Sequence, residues 1–81
     1  MYSVEFSKKS EKQFDKLPLN IQERIISCLE RIKIRPHHFV KRIVGSTYFR
    51  ARAGDYRIII DIKQMILIIH VVEVGHRKNI Y

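Results

Sequence analysis

Hydrophobic and polar positions change period midway along this chain. Residues 2–6 read Tyr-Ser-Val-Glu-Phe, an alternation at a period of two that predicts a short strand with one apolar face. Ser7 follows as an N-cap, and residues 8–16 form a weak helix anchored by Phe14 and Leu17, with Lys8, Lys9, Lys12 and Lys16 on its exposed side. Pro18 suits the first turn of a new helix. Ile21, Ile25, Cys28, Leu29 and Ile32 then recur at spacings of four, three, one and three, which is one stripe of an amphipathic helix that ends near Pro36. A tight turn at Leu17-Pro18 therefore joins two antiparallel helices.

Beyond the helices the period returns to two. Residues 47–53, 56–62 and 65–73 are rich in aromatic and β-branched side chains and are separated by Gly54-Asp55 and Lys63-Gln64, each read as a short hairpin turn. The expected order is strand, helix, helix, strand, strand, strand: an α+β domain over residues 1–81, with the helical pair packed on one face of a largely antiparallel sheet. No internal repeat or low-complexity stretch is present.

With 81 residues the chain has room for one modest core, and a domain of this size is expected to gain stability from a bound partner. Apolar residues make up 46% of it, enough to offset the entropy of folding. Sixteen Lys and Arg against eight Asp and Glu leave a net charge of +8, so the natural counterpart is a polyanion. Nucleic acid, an acidic protein segment or an anionic membrane surface would each answer that charge. The lone Cys28 excludes an internal disulfide and reads as core in a reducing compartment. The first residues have no secretory pattern, and the longest apolar run, 65–72, is interrupted by His70 and falls well short of the ~20 residues of a membrane span. A soluble, cytoplasmic protein is expected.

The cations cluster. With Gly54-Asp55 at the turn, Arg52 stands opposite Arg57 and Arg50 follows two residues back, so three guanidinium groups share a sheet face with Asp61 as the nearest carboxylate. Like charges directly across a strand pair destabilise it, and an external anion would justify the arrangement. A solvated face guarded by charge against aggregation is the plainer explanation. Planar guanidinium forks match phosphate, and three of them exceed what the carboxylates Asp61 and Glu73 require, which favours phosphate binding. A Lys63-Gln64 turn would pair Arg57 with His70 and carry Val72, Val74 and His76 along the same face. His37, His38, His70 and His76 lack metal-ligand spacing, so no metal and no other cofactor is expected. His76, between Gly75 and Arg77, is the candidate for proton transfer.

Several segments together resemble the RelE/ParE toxin superfamily: the opening strand and helical hairpin with Leu17-Pro18, Tyr48-Phe49-Arg50-Ala51-Arg52, Gly54-Asp55-Tyr56-Arg57, and Val74-Gly75-His76-Arg77 followed by Tyr81. The resemblance spans nearly the whole chain. It implies a toxin of a type II toxin-antitoxin system, silenced in a heteromeric complex by an acidic RelB-like antitoxin. The RelE branch cuts messenger RNA on the ribosome, and by that resemblance Arg57 would grip the scissile phosphate and Arg77 would stabilise its developing charge. Tyr81 would stack on a base or help activate the 2′-hydroxyl, and His76 occupies a position held by histidine or lysine in relatives. Arg50 falls at a basic position of the family, Arg52 would contact RNA backbone or the ribosome, and Lys41 and Arg42 are counted with them as RNA-binding. Some relatives carry two lysines in the middle strand where this chain offers Arg50 beside Tyr48 and Phe49, which leaves the general base unassigned. Two rival functions share the fold: a ParE-like inhibitor that binds DNA gyrase without chemistry, and a silent antitoxin-binding module.

Overall fold

The computed structural model describes residues 1–78. In chain order the elements are β1 (Ser3–Phe6), α1 (Lys8–Asp15), α2 (Leu19–Ile34), β2 (Lys41–Arg42), β3 (Phe49–Ala53), β4 (Tyr56–Lys63) and β5 (Ile68–His76). The strands form one sheet in the order β1-β5-β4-β3-β2, antiparallel except where β1 runs parallel to β5. The α+β architecture expected from the alternating periods is present. β2 is an addition: a two-residue edge strand of Lys41 and Arg42, both exposed, which the pattern did not announce. An edge this short and charged resists pairing with other chains.

Both helices cover one sheet face. The stripe Ile25, Cys28, Leu29 and Ile32 is buried in a single cluster with Ala51, Ala53, Ile58, Ile60, Ile69, Val71 and Val74. Ile21, Phe14 and Leu17 pack at its margin, as their spacing predicted. Ser7 caps α1 by accepting from the Ser10 N–H at 3.0 Å. Gln22 Nε2 closes the helical hairpin by donating to the carbonyls of Phe14 at 3.0 Å and Leu17 at 3.2 Å.

α1 also covers the part of β5 that β1 is too short to reach. Gln13 Oε1 accepts from the Val74 N–H at 2.8 Å, and the fully buried Ser10 donates through Oγ to the Val71 carbonyl at 2.8 Å. Backbone groups that a neighbouring strand would otherwise satisfy are thus paired from the helix.

The first hairpin has the expected register, with Arg52 opposite Arg57 and Ala53 opposite Tyr56. The second does not. A 3₁₀ turn at Gln64–Ile66, closed by Leu67 in the left-handed region at φ 56°, replaces the two-residue turn. Asp61 consequently faces His70, and Ile60 faces Val71. A bulge between Ile59 and Ile60 then leaves Val72 as an extra residue, so Ile59 faces Glu73 and Arg57 faces Gly75. One inserted residue inverts the parity of everything after it.

Candidate functional site

The face of the sheet away from the helices carries the cations. Ala51 and Ala53 of β3 point into the core, so Arg50 and Arg52 between them point outward. In β4 the buried core residue Ile58 likewise places Arg57, Ile59 and Asp61 on the open face. Lys41 of β2 pairs with Arg50 and joins them. Ile59 is only 6% exposed yet stands outside the main cluster, an apolar floor between Arg57 and Asp61. Arg57 is half-buried with its Nε inside the protein, and its partner in β5 is Gly75, which has no side chain to crowd the guanidinium. Arg42, opposite Phe49, faces the helix side instead and donates from Nε to the Ser46 carbonyl at 3.3 Å.

Two carboxylates near this face pair with lysines. Asp61 pairs with Lys63 at 3.2 Å and Glu73 with Lys9 at 2.6 Å. The strand register draws four cations, Lys41, Arg50, Arg52 and Arg57, together on one surface. A phosphate-bearing ligand fits that cluster, because each guanidinium can hold two oxygens at once.

Two expectations about β5 are corrected. Arg57 does not face His70, because the longer turn moves the register by four residues. Val74 and His76 do not share the face of Arg57. Val74 is buried in the core, and His76 pairs with Tyr56, their rings meeting edge-on at 5.4 Å between centroids. His70 stays on the Arg57 face because it precedes the bulge. Nδ1 of His76 accepts from the Lys78 N–H at 3.2 Å, so the neutral ring carries its proton on Nε2. Arg77 is held at the mouth of the first hairpin, its N–H donating to the Asp55 carbonyl at 2.9 Å. The end of β5 is thereby tied to the turn that positions Arg57. Tyr81 lies outside the described residues.

Among the described residues no group of three or more His, Cys, Asp or Glu side chains could hold a metal ion. Among the described residues no helix is long and apolar enough to cross a membrane. Cys28 is buried, and burial pushes its thiol up from the ordinary value while the neighbouring Arg31 guanidinium pulls the other way.

Fold and site together define a small α+β protein with a helical hairpin on one sheet face and clustered arginines on the other. The family model for the ParE toxin of type II toxin-antitoxin systems matches residues 4–81. Among solved structures, the toxin-antitoxin complex RelBE2 from Mycobacterium tuberculosis has a chain 25% identical, with a TM-score of 0.84 over 94% of this chain and 98% of that one. The archaeal RelE-RelB complex from Pyrococcus horikoshii is similar at 25% identity and a TM-score of 0.81, over 96% of this chain and 97% of that one. The RelB-RelE antitoxin-toxin complex from Methanococcus jannaschii reaches 31% identity with a TM-score of 0.74, over 94% and 93% of the two chains. A search of curated protein sequences finds no match. The chain belongs to the ParE toxin family, within the RelE/ParE superfamily, and is the toxin of a type II toxin-antitoxin system.

Proposed function

We propose that this toxin is a metal-independent endoribonuclease that cuts messenger RNA on the ribosome in the cytoplasm and is silenced by an acidic RelB-like antitoxin. The observation that carries the proposal is the convergence of Arg50, Arg52 and Arg57 with Lys41 on one sheet face. Similarity to RelE chains from three organisms supports it.

In the proposed reaction the 2′-hydroxyl attacks the adjacent phosphorus. The O2′–P bond forms as the P–O5′ bond breaks, leaving a 2′,3′-cyclic phosphate and a 5′-hydroxyl. Arg57 holds the non-bridging oxygens of the scissile phosphate and Arg77 takes up charge as the phosphorane forms. Removal of the 2′ proton and protonation of the leaving oxygen are assigned to Tyr81 and His76, of which His76 would have to reach the phosphate round the end of the hairpin, since it stands off the Arg57 face. Arg50, Arg52, Lys41 and Arg42 bind flanking backbone or ribosomal RNA. Because arginines dominate the site, naked RNA is a poor substrate, and the ribosome supplies orientation worth roughly 7 to 11 kcal/mol.

Inhibition of DNA gyrase by binding is the second reading. The ParE description of the matching family model favours it, as does the placement of His76 off the Arg57 face. Primer extension on ribosomes stalled with a defined message separates the two. Cleavage by the wild type that falls about 100-fold or more in Arg57→Ala supports the nuclease. An intact message with wild type rejects it.

A further inference from the structure

Two grooves meet at the β2–β3 edge and share one residue. The larger, about 520 Å³, lies between the polar side of α2 and the first hairpin and is lined by Glu23, Arg24, Ser27, Arg31, Arg52 and Gly54 among others. The smaller, about 280 Å³, is lined by Phe39, Lys41, Arg50 and Arg52. Arg52 belongs to both, so the two form a continuous path from the open sheet face, round the edge, to the helical layer.

Its cations are presented outward. Arg24 and Arg31 are seven residues apart, two helical turns or about 10 Å along the same side of α2. The Arg24 guanidinium lies against the hairpin, with Nη1 only 2.7 Å from where a Cβ at Gly54 would stand. Arg31 sits over the ring of Phe39, 5.9 Å from its centroid, and Phe39 remains 42% exposed. None of the ion pairs among the described residues involves Arg24, Arg31 or Arg52. Glu23 is the one carboxylate among the residues lining either groove.

We propose that this path is a second nucleic-acid subsite. It takes a single-stranded RNA flank, with Arg24, Arg31 and Arg52 on its phosphates and a base stacked on Phe39. The proposal rests on the RNA reading of the Arg57 face and extends the bound strand well beyond the scissile phosphate. An acidic peptide would satisfy the arginines but has no flat group for an exposed ring buttressed by guanidinium, whereas every nucleotide presents both a phosphate and a stacking face. The path gives the strand a direction, from the sheet onto α2.

Fluorescence anisotropy with a 5′-labelled, fully 2′-O-methylated RNA of about 15 nucleotides tests this, since the probe can bind but cannot be cut. R24Q/R31Q is expected to weaken binding about 10- to 30-fold at 0.1 M salt and to lower the slope of log K against log salt by about 1.4, from ~0.7 per phosphate contact on a single strand. Lys8→Gln/Lys12→Gln, which removes the same charge from the exposed side of α1, is expected to change the affinity less than 3-fold. Glu23→Gln is expected to tighten binding, a gain that misfolding cannot mimic. Equal losses in the two double variants would show diffuse attraction and overturn the proposal, and no gain with Glu23→Gln would overturn it by showing that no phosphate lies near that carboxylate. So would an oligoglutamate peptide that binds at Arg24 and Arg31 while the RNA does not. Failure of message cleavage on ribosomes with these binding effects intact would reject the nuclease and leave the subsite standing. Cleavage with unchanged binding in R24Q/R31Q would do the reverse.

Discussion

Arg52 and Arg57 stand directly across a strand pair, and like charges placed so destabilise the sheet. Arg52→Thr is therefore expected to raise the midpoint of urea unfolding while weakening RNA binding, two effects of opposite sign on one substitution. A midpoint that falls would mean that the arginine stabilises the free protein. Cys28 offers a second test at this scale. Burial raises its thiol above the ordinary value of 9.0, so the folded protein retains a proton that the unfolded chain gives up first. Its contribution is fully present below that pH and is lost as pH rises through the folded value. Urea unfolding at about pH 8 and about pH 10 is expected to show a smaller alkaline loss in Cys28→Ala than in wild type. The cluster of Arg50, Arg52 and Arg57 was legible because two residues, Gly54 and Asp55, set the hairpin register unambiguously. Nothing in the local pattern singles out Arg24 and Arg31. Their meeting with the β3 edge depends on how α2 crosses the sheet, which local pattern does not encode.

At the scale of elements, the amphipathic stripe of α2 and the alternation in β3 and β4 located the core closely, because each apolar period has one face to bury. The run from Met65 to Val72 was misleading. It is apolar throughout apart from His70, so it carried no period to set where the turn ends and β5 begins, and Met65 proves to be 97% exposed in the turn. The bulge at Val72 is likewise invisible to alternation, since Val71, Val72 and Val74 are interchangeable in pattern. Ile58→Ala is expected to cost about 3 kcal/mol, whereas Met65→Ala should stay within about 0.5 kcal/mol, as chemical denaturation will show. Leu67 adopts a left-handed conformation that costs an ordinary side chain roughly 1–2 kcal/mol and asparagine less. Leu67→Asn is expected to stabilise the protein by about 0.5 kcal/mol, and a lower melting temperature would show that the leucine's contacts outweigh its strain.

For the whole molecule, a charge of +8 on 81 residues is a field that attracts polyanions. On the proposed RNA reading, competition accounts for silencing: an acidic antitoxin that folds over the basic surface would displace RNA from it. The complex with its antitoxin is expected to weaken as salt rises, though less steeply than RNA binding, because apolar contacts add to the charged ones. Equal salt slopes in calorimetric titration would contradict that picture. The nuclease proposal itself is tested most directly by mapping 5′ ends of a defined message on stalled ribosomes after adding purified wild-type toxin. A new end inside the ribosome-bound codon, bearing a 5′-hydroxyl, is the expected result. An uncut message, with supercoiling by gyrase blocked by the same preparation, would contradict it.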